Sequence, residues 1–283
     1  MPSVSVIIAS YNHAQYIAQS IESVVRQTFQ DFELIVIDDG STDNSVEVIQ
    51  ALQKKHKFQF IVQDNMGLAK TLNKAVSLAS GEFIAPFGSD DIMMLDRLEK
   101  QASYMKLSPQ LGISGGNILC IDGQSQLHKV QKIYPARVLG FDDIYMNREK
   151  GVPAPTLMFR KKVLLEAEGF NPDIRLEDLY IEFKIASMGY QIGMLNDVLA
   201  YYRIHDTNTY KNLELMLDAV LATYDCFSDH PQYEQMRQRT LHSYLLMAAK
   251  SDKQLARKIL SMIPLSAYCG KTFRGIFKLL VGR

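Results

Sequence analysis

Four short runs of β-branched and aromatic residues within the first ninety positions constrain this chain more than anything else in it. Val4-Ser5-Val6-Ile7-Ile8-Ala9 is broken by Ser10-Tyr11-Asn12, and Phe32-Glu33-Leu34-Ile35-Val36-Ile37 by Asp38-Asp39-Gly40-Ser41. Phe58-Gln59-Phe60-Ile61-Val62 forms a third run, and Glu82-Phe83-Ile84-Ala85-Pro86-Phe87 a fourth that stops at Gly88-Ser89-Asp90-Asp91. Short apolar runs bounded by turn formers read as buried strands. Between them, Ile17, Ile21, Val24 and Val25, then Val46, Ile49 and Leu52, then Leu68, Leu72, Ala75, Val76 and Ala79 recur at helical spacing. Asp43 or Thr42 is placed to cap the second helix. Strand and helix in strict alternation predict an α/β fold, a Rossmann-like and mostly parallel sheet covered by helices on both faces. Ligands of such sheets bind beyond the carboxyl ends of the strands. Ser10, Asp38, Asp39, Asp90 and Asp91 all fall there.

Beyond residue 90 the pattern loosens. Ile113 to Ile121 and Thr156 to Phe159 read as strands, and Gly151-Val152-Pro153-Ala154-Pro155 as an extended loop. Leu179 to Met188 reads as a helix ended by Gly189. Segments near 211–227, 232–249, 252–262 and 270–281 are helical, so the expected division is a domain over 1–210 and a helical C-terminal extension over 211–283. Thirty-one basic residues cancel thirty-one acidic ones, which argues against a nucleic-acid partner. Three cysteines, at 120, 226 and 269, fit neither a disulfide framework nor a zinc site. With no signal peptide at the start, the expected location is cytoplasmic.

Paired carboxylates at two strand ends concentrate negative charge, which is costly without cations or hydrogen-bond donors. Asp38-Asp39 suits a partner with donors, such as a base N–H or ribose hydroxyls. Asp90-Asp91 suits a hard divalent cation that bridges to phosphates. Taken singly, either cluster also reads as a plain turn.

Together, Val-Ser-Val-Ile-Ile-Ala-Ser-Tyr-Asn, Ile-Asp-Asp-Gly-Ser-Thr-Asp, Asn65-Met66-Gly67-Leu68-Ala69 with Asn73, and Ser89-Asp90-Asp91 resemble the family-2 glycosyltransferases of the GT-A fold, over roughly residues 3–210. That resemblance implies an inverting transfer from a UDP- or dTDP-sugar, with Mn2+ or Mg2+ as cofactor. It implies that Ala9, Ser10 and Tyr11 line the nucleobase pocket, and that Asp39, beside Asp38, accepts the pyrimidine N3–H. Asn65 and Gly67 belong to the same nucleotide-binding set, and Lys70 is placed to reach the diphosphate. Asp91 ranks first as metal ligand and Asp90 second. The family's usual Asp-x-Asp-Asp departs here at Gly88, so one contact is missing or supplied elsewhere.

Further along, Leu176-Glu177-Asp178-Leu179-Tyr180 is similar to the family's Glu-Asp segment. It implies Asp178 as the base that takes the acceptor proton, with Glu177 as fallback. A carboxylate at a helix start also feels the helix N-terminus, which favours its ionised form. Tyr202-Arg203-Ile204-His205-Asp206 is similar to the late Tyr-Arg-x-His segment, implying His205 as a metal ligand and Arg203 as a neutraliser of the diphosphate. The other five histidines have no motif context and read as surface or packing residues. Pro153-Ala154-Pro155-Thr156 reads either as part of an acceptor pocket or as a connector. Tyr210-Lys211-Asn212 is similar to rhamnosyl-transferring members, implying dTDP-rhamnose.

The implied acceptor is a glycan or lipid-linked hydroxyl in surface-polysaccharide synthesis. A catalytically inactive sugar-nucleotide- or glycan-binding subunit stays open as the alternative, on the strength of Gly88. A nucleotidyltransferase ranks low, because Ser10-Tyr11-Asn12-His13-Ala14 stands where that class carries a Gly-rich, basic signature. Finally, Lys250 to Arg283 holds eight basic residues and one acidic residue, Asp252. Leu255, Ile259, Leu260, Met262 and Ile263, then Phe273, Ile276, Phe277, Leu279 and Leu280 are interleaved with these cations. The pattern fits an amphipathic helix lying peripherally on the cytoplasmic face of the inner membrane, or a packed helix with a solvated basic face.

Overall fold

The computed structural model describes residues 2–206, 208 and 211–281. Two compact units emerge: one covers residues up to Asp173 together with Glu177–His205, the other Ile174–Leu176 and the chain from Asp206 onward. The anticipated boundary residue Tyr210, and with it the rhamnose-like segment's first position, lies outside the described residues.

The first unit is built on one sheet. Its strands are β1 (Val4–Ser10), β2 (Phe32–Asp39), β3 (Gln59–Gln63), β4 (Phe83–Gly88), β5 (Ile92–Met93), β6 (Leu111–Asp122), β7 (Arg137–Leu139), β8 (Met158–Arg160) and β9 (Gln191–Ile204). They run in the order β3-β2-β1-β4-β8-β6-β9-β5, with β7 paired to β9. The pairs β1–β2, β1–β4, β2–β3 and β6–β9 are parallel. β8 is antiparallel to both β4 and β6. Two reversals restore the direction, so β1, β2, β4, β6 and β9 all end on the same edge.

Helices α1 (Ile17–Val25), α2 (Ser45–Gln53), α3 (Leu68–Leu78) and α4 (Arg97–Leu107) flank this sheet. Alternation along β1 sends Val4, Val6 and Ile8 to one face. There they form a core with Ile17, Ile21 and Val24 of α1, Ile49 and Leu52 of α2, and Leu98, Ala102 and Met105 of α4. Each of the larger of these side chains, fully buried, contributes about 1.5–3 kcal/mol. α3 contacts β1 and β2 and buries Leu72, Ala75 and Val76. After α5 (Phe141–Tyr145) and α6 (Lys161–Glu166) comes α7 (Glu177–Ser187), close to its expected span.

Two elements differ from expectation. Ala154–Thr156 is a 3-10 turn, not the start of a strand. Thr156 is fully buried, and its hydroxyl bonds Pro153 O at 2.8 Å, so it does not shape an acceptor pocket. The 14-residue strand β9 was not legible: Asn196-Asp197 interrupts its apolar run, and its pairing with β6 shifts register near Asn117.

The second unit holds α8 (Leu213–Asp225), α9 (Tyr233–Ser251), α10 (Lys253–Met262) and α11 (Gly270–Val281). Asn212 and Asp252 cap α8 and α10 by accepting from Leu215 N–H and Leu255 N–H. Leu217, Leu241, Leu245, Leu255, Ile259 and Ile263 share one core. The apolar face of α10 is therefore packed inside protein, which removes it from the expected lipid-facing surface. α11 differs. It buries Thr272 and Gly275 and leaves Phe273, Phe277, Leu280 and Val281 61–80% exposed. Among the described residues no helix is long and apolar enough to cross a membrane.

Candidate active site

The common edge where β1, β4 and β9 end brings together three side chains distant in sequence. His205 follows β9, and its Nε2 lies 2.9 Å from Asp90 Oδ2. His13 follows β1 and shares a 2.7 Å hydrogen bond between its Nδ1 and Ser89 Oγ. The potential ligand atoms of His13, Asp90 and His205 all lie within 4.8 Å of one another. Tyr16 stacks on the His205 ring, with centroids 5.1 Å apart. Burial holds the His13 imidazole below its usual range; nearby His205 acts in the same sense, against the pull of Asp90 and Asp43. His13 is thus part of the site, not the surface or packing residue expected from sequence. Only its three-dimensional neighbours reveal it.

Two imidazole nitrogens and a carboxylate oxygen fit a first-row divalent cation. The geometry also reverses the expected order of the two aspartates. Asp90 faces the histidines. Asp91 is 3% exposed and its Oδ1 accepts the Arg203 N–H at 2.9 Å. Burial, then the charge of Asp90, pushes the Asp91 carboxyl well above its usual range. Gly88 explains how both fit. A Cβ there would lie 2.5 Å from Asp91 Oδ2 and 2.9 Å from Asp90 Oδ1. The missing side chain leaves room for the two carboxylates to fold back over the strand end.

Arg203 does not act as expected. Its side chain is buried, donating from Nε to Asp90 O and from the guanidinium to Asp122 O, Ser125 Oγ and Gln19 Oε1. Its guanidinium also lies over the Tyr16 ring at 4.7 Å. With its donors committed to protein, it braces the site and is not a diphosphate clamp.

The expected nucleotide side gathers at β1 and β2. Ser10 Oγ is buried and meets no hydrogen-bond partner, while Tyr11 beside it is 47% exposed. Ala9 pairs with Ile37 and Gly88 in the sheet. Asp38 is spent on its own turn, accepting from Ser41 N–H and Ser41 Oγ–H. Asp39 accepts from Gln63 Nε2, Met66 N–H and Gly67 N–H. Burial alone would raise its pKa, but these donors outweigh it and the net shift is downward. Asn65 donates to Asp39 O, so it fastens the same loop. Lys70 is exposed in the first turn of α3.

A second acidic group opens α7. Asp178 and Glu182, one helical turn apart, line a cavity of about 480 Å³ together with Ile118, Cys120, Gly151 and Pro153. Glu182 is 4% exposed and accepts Val152 N–H at 3.2 Å. A Cβ at Gly151 would run into Glu182 Oε2, so glycine leaves this carboxyl its present position. Burial raises the pKa of Asp178 in spite of the Leu179 N–H it accepts, so desolvation overrides the helix-start effect expected to hold it ionised. Burial, with the Asp178 charge second, pushes Glu177 up to about 8 and Glu182 well above its ordinary value. Cys120 also lines the cavity, and its thiol is raised by burial and then by the charge of Asp91.

Known proteins carry the same plan. The chain is 31% identical over 255 residues to the O-antigen biosynthesis glycosyltransferase WbnJ of Escherichia coli, covering 86% of this chain and 92% of that one. Among solved structures, S. aureus TarS 1-349 in complex with UDP-GlcNAc superposes with a TM-score of 0.70 at 19% identity, over 94% of this chain and 83% of that one. The mannosyltransferase PcManGT of Pyrobaculum calidifontis, in complex with GDP-Man and Mn2+, gives 0.62 at 18% identity, over 99% and 85%. These likenesses show the GT-A fold. Since residues 5–166, more than half the chain, also match the glycosyl transferase family 2, this chain belongs to that family and is a glycosyltransferase.

Proposed function

We propose that the chain moves a hexosyl or deoxyhexosyl unit, with inversion, from a UDP- or dTDP-sugar to a hydroxyl of a glycan or lipid-linked acceptor. One observation carries this reading. A cation donor set at the strand ends and a carboxylate on a cavity wall stand in the same unit. The acceptor hydroxyl attacks the anomeric carbon, the bond to the diphosphate breaks, and Asp178 takes the hydroxyl proton. Its raised pKa makes it a stronger base than an ordinary aspartate. Asp90 and His205 would hold Mn2+ or Mg2+, and the ion would supply positive charge to the diphosphate as it leaves. Ala9, the unpartnered Ser10 hydroxyl, Tyr11 and Asp39 receive the base and ribose, and Lys70 the diphosphate.

A nucleotide-sugar panel tested by thermal shift with Mn2+ identifies the donor, because a ligand at 100 Kd adds about 2.7 kcal/mol. NMR of the product then reads the anomeric configuration, and retention would refute the inverting mechanism. The inactive binding subunit rests on Gly88; binding of a donor with no turnover across acceptors would favour it.

The resemblance to an O-antigen enzyme supports a role in surface-polysaccharide synthesis. The exposed Phe273, Phe277, Leu280 and Val281 on α11, beside Lys271, Arg274 and Lys278, support peripheral binding to an anionic leaflet. Liposome co-sedimentation at low and high salt tests it. Phe273→Ser with Phe277→Ser should abolish binding, and a wild type that ignores anionic liposomes at low salt rules it out.

A further inference from the structure

We propose that His13 is a third protein ligand of the cation at Asp90 and His205, forming a two-imidazole, one-carboxylate site that takes a first-row transition ion without nucleotide and discriminates against Mg2+. This rests on the reading of Asp90 and His205 as the cation site.

The geometry supports it from several sides. Ligands adjacent around an ion with bonds of about 2.1 Å stand about 3 Å apart, and opposite ones about 4.2 Å apart. His205 Nε2 and Asp90 Oδ2, 2.9 Å apart, already stand at the adjacent-ligand distance, and all three potential ligand atoms lie within 4.8 Å of one another, so a small side-chain adjustment closes the set around an ion. The His13 and His205 rings face each other edge to face, with centroids 5.6 Å apart and planes at 84°.

His13 is also held in place. Its N–H donates to Ser45 Oγ at 3.0 Å, and its carbonyl accepts from Tyr16 and Ile17 N–H at the entry to α1. Its neighbour Ala14 donates its N–H to Asp43 Oδ2 at 3.0 Å. The 2.7 Å contact from Nδ1 to the buried Ser89 fixes the ring. In the tautomer where Nδ1 donates to Ser89, Nε2 carries the lone pair, the usual way a hydrogen-bonded partner orients a ligating imidazole. His205 is steadied in parallel by Tyr16, which in turn carries the Arg203 guanidinium.

The donor set decides the metal. Mg2+ prefers an all-oxygen octahedron and keeps its waters. Imidazole nitrogens favour first-row transition ions. Gly88 offers no side-chain donor, so by this proposal the protein ligands are one carboxylate and two imidazoles. Three protein ligands suffice to hold an ion before any diphosphate arrives.

The test uses the full chain without nucleotide. Loss of the free Mn2+ electron paramagnetic resonance signal should report one Mn2+ bound per chain, displaced only by at least about a hundredfold more Mg2+. His13→Gln and His205→Gln should each weaken uptake at least about tenfold, and His56→Gln should not change it. Pulsed measurements on the wild-type Mn2+ complex should show two imidazole nitrogen couplings, a count that does not depend on how any variant folds. One coupling, or equal uptake by wild type and His13→Gln, overturns the proposal. If Mn2+ binds only after UDP is added, His13 is no ligand while the glycosyltransferase reading stands. If a nucleotide sugar binds but Mn2+ never does, the proposal falls together with the cation site.

Discussion

The turn around Asp39 and the opening of α7 treat the same functional group in opposite ways. At the strand ends, Asp90 sits against His205 and beside His13, buried Asp91 is raised, and Asp39 is lowered by hydrogen bonds from Gln63, Met66, Thr71 and Gly67. At the opening of α7, Glu177, Asp178 and Glu182 share burial with few donors, and all three are raised. The donors around Asp39 keep that carboxylate charged. Burial at the opening of α7 makes its carboxylates hold protons more tightly, as the proposed general base requires. The environment, more than the residue type, separates a binding role from a proton-transfer role.

The largest effect that would sharpen this contrast is on the base. Asp178→Asn should keep donor affinity and lower kcat at least about a hundredfold. If Glu177→Gln causes the large loss instead, the base is the wrong one of the pair. The pH dependence follows from the sign of the shift. As the proposed base, Asp178 would work deprotonated, and its pKa is raised, so kcat should fall as pH drops, with the limb above the ordinary aspartate range. A kcat profile flat down to pH 4 would break the contrast.

Next in size is the strand-end pair. Asp90→Asn should weaken metal-dependent nucleotide binding at least about tenfold, whereas Asp91→Asn, which still accepts from Arg203 N–H, should change it less than about twofold. Calorimetric titration with and without Mn2+ separates them, and equal losses would show that both carboxylates ligate. Gly88→Ala pushes a methyl group into both carboxylates and should also weaken Mn2+ binding; unchanged affinity would mean that Gly88 does not set their position.

The smallest effect concerns Glu182. Its folded pKa is raised, so it is tolerated below the ordinary glutamate pKa and costs stability as pH rises toward its folded value. Glu182→Gln keeps the acceptor for Val152 N–H and should raise Tm at pH 8 by a few degrees, about 2–4 °C per kcal/mol, with little change near pH 4. A gain of the same size at both pH values would contradict the charge argument.

Much of this molecule was legible from local pattern. The first four strands, the helices between them and the four C-terminal helices follow from apolar periodicity, because burial of one face depends only on spacing along the chain. The placement of Asp90, His205 and Asp178 at element ends followed from motif positions. Strand β9 was hidden, since Asn196-Asp197 mimics a turn and only pairing with β6 keeps the chain extended.

What sequence alone determined was the fold class, the family resemblance and the set of polar residues at the strand ends. Tertiary structure decided their roles. It turned Asp91 and Arg203 inward, spent Asp38 on a turn, buried α10 and brought His13 to a site formed around residues 90 and 205. Coordination, hydrogen bonding and desolvation act over a few ångströms in space, and strand order sets those distances between segments far apart along the chain.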